Sequence, residues 1–272
     1  MLELGIGADV VRGIGWIFWG LIAIGLWLAI SKPKTGAGKA MCVALVLAVP
    51  VAALGPSIYR SYEYRKRFAV AKALFDERCK TAGENIYRTV EGEEGVLLLK
   101  IRPRRLNSSN QFEMNDPYGN DLGGEGFILS FLKSTPSSNL QKNYQYVDAK
   151  QESGNISRYE ALIKKSKAGN EYVELTQING THTKFRFAVD YQDVSTEEER
   201  RNWIAGGVLQ IIDTTTGEIL GVKRGYIFDH LLGSTEDGRA PWLGASSCGN
   251  EDRAYGHTAR FVQKIVKPTG GN

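Results

Sequence analysis

The chain has 272 residues, 42% of them hydrophobic and 24% charged, with a formal net charge of +4. That balance excludes a disordered polyelectrolyte and leaves room for at least one domain with a real core. The excess charge is local: Arg60, Arg65, Lys66, Arg67, Lys72, Arg78 and Lys80 stand against Glu63, Asp76 and Glu77, so the remainder lacks the broad basic face of a nucleic-acid binder.

The first sixty residues set the organisation. Gly13 to Ile30 and Ala40 to Tyr59 are apolar runs, both without any charged side chain. A membrane-spanning helix needs about 20 mostly apolar residues, and about 17 at the least. Between the runs, Ser31 to Lys39 contains Pro33, Gly36 and Gly38 and suits a tight turn. The expectation is a transmembrane helical hairpin. Ala40, Ala44, Ala48 and Ala52 recur every four residues on one helical face. Such a small-residue stripe lets two membrane helices approach closely, and its expected partner is the first span. The alternative is self-association. Thr35-Gly-Ala-Gly-Lys39 resembles half a phosphate loop, but Pro33 and Ala40 stand where that loop needs Gly and Ser or Thr.

Residues 1–12 have one basic side chain, Arg12, and lack the positive region of a signal peptide, so the first run is expected to be retained. Lys32, Lys34 and Lys39 mark the turn as cytoplasmic by the positive-inside tendency, which would place the large domain outside. Arg60, Arg65, Lys66 and Arg67 oppose that orientation. Beside a span, their expected role is to anchor lipid headgroups.

From Arg60 to Ala82 a helix is expected to continue from the second span. Tyr64, Phe68, Ala71, Phe75 and Ala82 share a face, and Gly83 supplies a stop. The period then changes. Ile86–Val90 and Val96–Arg102 flank the turn-like Glu91-Gly-Glu-Glu-Gly95 and predict a hairpin. Residues 115–126 form a loop rich in Asn, Asp and Gly without EF-hand spacing. Strands are predicted at Phe127–Leu132, Tyr144–Asp148, Ser157–Ile163, Tyr172–Ile178 and Lys184–Tyr191. Ser195 to Arg200 predicts a helical turn capped by Ser195 with Glu198 three residues on. The clearest hairpin joins Val208–Asp213 to Glu218–Lys223 through Gly217. Arg260 to Lys267 predicts a short helix ended by Pro268. The fold class is therefore α+β: a transmembrane helical hairpin over 1–59, a juxtamembrane stalk helix over 60–84, and a soluble domain over 85–272 rich in antiparallel strands.

Four stretches carry a resemblance: Ala73-Leu-Phe-Asp-Glu-Arg-Cys-Lys-Thr-Ala-Gly-Glu84, Ile86-Tyr-Arg-Thr-Val90, Ile212-Asp-Thr-Thr-Thr-Gly-Glu218 and Arg224-Gly-Tyr226. They resemble uncharacterised proteobacterial two-span inner-membrane proteins over most of residues 60–250. The resemblance implies a bacterial envelope location and no particular chemistry.

Cys79 and Cys248 stand near the two ends of the soluble part, as a disulfide in an oxidising compartment would require. Cys42 lies within the second span. His182, His230 and His257 have no helical ligand spacing, and Cys-x-x-Cys does not occur, so neither a metal nor a cofactor is expected. The one catalytic alternative pairs Cys248 as a thiol nucleophile with His257 as its base. The favoured reading is an interaction or assembly role as an accessory subunit in the bacterial inner membrane, with a periplasmic domain. Its partners would be the bilayer and an envelope protein or a second copy of itself. The alternatives are the Cys248/His257 enzyme and a small-ligand sensor.

Overall fold

The structure is a computed structural model that describes residues 5–104, 110–112, 121–132, 143–165, 171–178, 185–249 and 256–269. It is α+β and divides into two compact units, Met1–Arg67 and Phe68–Asn272. In chain order the elements are α1 (Gly5–Ser31), α2 (Gly36–Cys79), β1 (Gly83–Ile86), β2 (Val90–Glu93), β3 (Gly95–Leu98), α3 (Glu125–Leu132), β4 (Tyr146–Lys150), β5 (Ile156–Lys165) and β6 (Glu171–Ile178). They continue with β7 (Phe187–Asp193), α4 (Glu197–Arg201), β8 (Ile204–Asp213), β9 (Ile219–Phe228), β10 (Ser246–Cys248), α5 (His257–Ile265) and β11 (Val266–Pro268).

The first unit contains α1 and the start of α2. Only α2 is long and apolar enough to cross a membrane among the described residues; the apolar stretch Gly15–Ser31 of α1 is shorter. Both predicted runs lie inside these helices. Thr35 opens α2: its hydroxyl accepts from Gly38 N at 3.2 Å, which satisfies one of the unpaired amides of the first turn. The half phosphate loop is thus a helix start. Ala40, Ala44, Ala48 and Ala52 are exposed, which corrects the expectation that this stripe packs on the first span. The helices touch elsewhere, where a Cβ on Gly25 would lie 3.2 Å from Val46. Ala29 of α1 is buried, and Cys42 and Val46 of α2 are half-buried. Gly25 opposite Val46 gives the close approach on this face. Arg60, Arg65, Lys66 and Arg67 are exposed.

The second unit is built on a mixed nine-stranded sheet in the order β1-β9-β8-β7-β3-β4-β5-β6, with β10 also on β9. Six of its pairings are antiparallel, as the sequence led us to expect. The centre is not: β3 runs parallel to both β4 and β7. A parallel central strand is buried on both faces and reads as a continuous apolar run. Val96, Leu97 and Leu98 show this, all at 5% exposure or less. The predicted hairpin between Ile86–Val90 and Val96–Arg102 is accordingly absent. β1 pairs with β9, β2 pairs in parallel with β11, and β3 enters the sheet centre.

One face of the sheet is covered by α3 and α5. Phe127, Ile128, Phe131 and Leu132 of α3 and Phe261, Val262 and Ile265 of α5 pack on Leu98, Val147, Phe187, Val189, Leu209 and Ile211. Phe127–Leu132 is therefore a helix, not a strand. Its buried positions fall at i, i+1, i+4 and i+5, a helical spacing hidden in a short apolar run that periodicity alone does not resolve. A second cluster joins Ala71 and Phe75 of α2 to Trp203, Tyr226, Ile227, Phe228, Leu232 and Trp242.

Two ends differ from expectation. The helix predicted to run on to Ala82 stops at Cys79, and Gly83 opens β1. The C-terminal helix begins earlier, at His257, and residues 266–268 leave it to pair with β2. At α4 the cap is Thr196 rather than Ser195. Thr196 Oγ1 accepts from Glu199 N at 3.2 Å while Glu199 accepts from Thr196 N at 2.6 Å. Ser195 instead accepts from Gly206 N at 2.7 Å. Gly217 behaves as read, with φ +73° in the turn between β8 and β9.

A buried cation sits under α5. Lys223 is 1% exposed, and its Nζ lies 3.2 Å from Glu84, which also pairs with Lys264 at 2.7 Å. Burial alone would raise the Glu84 carboxyl, but the hydrogen bonds and charges of Lys264 and Lys223 outweigh it and hold it below the usual range. Glu84 therefore stabilises the fold fully above its unfolded value, near 4.3. That contribution is lost as pH falls through the lower folded value. Glu84→Gln should cost about 2 kcal/mol at pH 7. In denaturant titrations across pH, the gap between variant and parent should close below about pH 4; a constant gap from pH 3 to 8 contradicts the pairing.

Candidate functional site

Cys79 and Cys248 are joined, with Cα atoms 5.7 Å apart across 169 positions. The surroundings explain why they meet. β10 pairs Cys248 opposite Tyr226, and β1 pairs Gly83 opposite Arg224. The two short strands lie end to end along one edge of β9, so the end of α2 and the end of β10 converge. Gly249 follows with φ +70°, and a Cβ there would lie 2.3 Å from Arg224 O and 2.7 Å from Ala82. Only glycine fits this junction. Arg78 adds an ion pair to Glu199, which is 1% exposed.

The Cys248/His257 pairing is not formed. The Cys248 sulfur is engaged with Cys79, and Cys248 packs with the second cluster. His257 is 3% exposed at the start of α5, with Nε2 3.4 Å from Asp121 Oδ2. Asp121 also accepts from Gly256 N at 2.6 Å and Thr258 N at 3.1 Å. This carboxylate satisfies amides at a helix N-terminus and complements its dipole. The pair organises the start of α5. His182 lies outside the described residues. His230 contacts Ser246 through Nε2 and packs on Phe68 and Phe228. No group of three potential metal ligands occurs among the described residues.

A cleft of about 670 Å³ lies at the carboxyl ends of β3, β4 and β7. Lys100, Arg102, Arg104 and Lys150 line it with one carboxylate, Glu152, and the ring of Tyr191. Lys100 pairs with Asp190 at 2.9 Å and donates to Tyr191 O at 2.8 Å. Arg102 is 2% exposed. Arg104 pairs with Glu125 at 2.7 Å. A Cβ at Gly124 would lie 2.5 Å from Arg104 Cγ, so glycine lets the arginine stem lie against the start of α3. Sequence reading missed this site, because its cations come from separate segments brought together only by the parallel strands. The Arg102-Pro-Arg104 step and the Gly123-Gly124 pair were its only local signals. Compared with known protein families, with curated proteins and with solved structures, the chain matches none.

Proposed function

We propose that this is an envelope protein resembling the proteobacterial two-span proteins, whose α1–α2 hairpin anchors a periplasmic domain in the bacterial inner membrane. The domain serves interaction and assembly there as an accessory subunit. The observation that carries this reading is the Cys79–Cys248 bond, because such bridges form and persist in oxidising compartments. The exposed apolar surface of α1 and α2, including Trp16, Trp19, Trp27, Leu45 and Val51, supports the anchor. Lys32, Lys34 and Lys39 support a cytoplasmic turn. Arg60, Arg65, Lys66 and Arg67 would then meet headgroups of the outer leaflet.

Topology reporters test it. A fusion after Asn272 should report the periplasm and an insertion at Gly36 the cytoplasm. The opposite pattern overturns the orientation and the proposed compartment together. Cross-linking in membranes should capture a discrete envelope partner or a second copy; recovery of the monomer alone overturns the assembly role.

A further inference from the structure

We propose that the cleft at the carboxyl ends of β3, β4 and β7 binds a small oligoanion, a molecule carrying phosphoryl groups or several carboxylates. This inference does not depend on the compartment. Where adjacent parallel strands end together, the sheet leaves a crevice outside their carboxyl ends, the usual ligand position in open parallel sheets. Here that crevice is real: about 670 Å³, within the range of small-molecule sites.

The lining selects the charge. Three exposed cations, Lys100, Arg104 and Lys150, face one lining carboxylate, while Arg102 is buried in the cleft wall. Asp190 and Glu125 neutralise Lys100 and Arg104 in part and also fix their positions. Lys150 is exposed at the end of β4 and makes no ion pair among the described residues. Its charge is therefore available to a ligand. A concave site with an excess of one sign of charge and low-dielectric walls concentrates ions of the other sign. Arg104 brings a planar donor fork suited to carboxylate and phosphate oxygens. The segments carrying these groups are held in register: Leu99 N donates to Val189 O, and Gly124 N donates to Arg102 O at 2.7 Å. The site is thus largely formed without a ligand.

The chemistry is shared by a free phosphorylated or polycarboxylated solute and by a phospholipid headgroup. Titration calorimetry on the full chain in a non-ionic detergent distinguishes them, using pyrophosphate and citrate as soluble probes and dihexanoyl phosphatidylglycerol as the lipid probe. Lys150→Ala and Arg104→Ala should each weaken binding about tenfold, the factor one charge-assisted hydrogen bond supplies. Lys164→Ala removes a β5 cation paired with Glu174 of β6, outside the cleft, and should change nothing. Lys150-dependent binding of a soluble probe assigns a free anion. Lys150-dependent binding of the lipid probe alone assigns a headgroup. Either result supports an anion site. No binding of any probe up to about 10 mM, well above a weak millimolar constant, overturns it. So do equal affinities for the parent, Lys150→Ala and Lys164→Ala.

Discussion

Opening the Cys79–Cys248 bond should remove about 5 kcal/mol of stability from the second unit. The chain-entropy model gives this value for a loop of 169 positions, because the bridge restricts the unfolded ensemble far more than the folded one. Domains of this size carry about 5–15 kcal/mol in all, so a loss of this size leaves little. Cys79→Ser, Cys248→Ser and the double variant should be equally destabilised in guanidinium titrations of the detergent-solubilised chain. Reductant should bring the parent to the same midpoint. Cys42→Ser, which removes the free cysteine, should leave the bridge and its contribution in place. Denatured, unreduced protein should titrate one thiol; a count of three would falsify the bridge. Unequal effects of the two single variants would instead point to a separate role for one sulfur.

Phe228→Ala should be the most damaging of the core truncations around α2. Phe228 is fully buried, and its ring centroid lies 5.8 Å from Phe68, 5.4 Å from Phe75 and 4.8 Å from His230. Truncation removes the transfer energy of a whole ring and leaves a cavity bounded by rings that cannot collapse freely. The cost should be about 3–5 kcal/mol. It should appear as a lower denaturant midpoint at unchanged slope, the mark of lost stability rather than altered denatured-state compactness. Tyr87→Ala, at a ring 65% exposed, should stay within about 0.5 kcal/mol. Equal shifts for the two variants would mean that the cluster around Phe228 does not close as described.

The elements most legible in the sequence were those with local reasons. The two apolar runs, the β8–β9 turn at Gly217 and the strands later found as β4 to β7 all follow from spacing or turn chemistry. The misreadings have a common cause. Ile86–Val90 and Val96–Arg102 look like hairpin partners because they are close in sequence. Their real partners are β9, β11, β4 and β7, chosen by burial. Phe127–Leu132 misreads as a strand because six apolar-rich residues fit a strand or a buried helical turn equally well. The disulfide was legible from cysteine count and position. The cleft was not, because Lys100 and Lys150 become neighbours only once β3 and β4 align in parallel.

The shared edge of β9 also dictates an order of events during synthesis. Gly83 to Ile86 leave the ribosome early, yet their pairing partner, Gly221 to Arg224, follows about 140 residues later. At 5–20 residues per second, β1 waits on the order of 10 s without its ladder. β10 arrives later still and completes the same edge. Contacts this distant in sequence slow folding, because loop closure must precede any gain from pairing. The first strand of the domain is therefore among the last to be secured, and the bond from Cys79 to Cys248 can close only after the chain has been made as far as Cys248, 169 positions on.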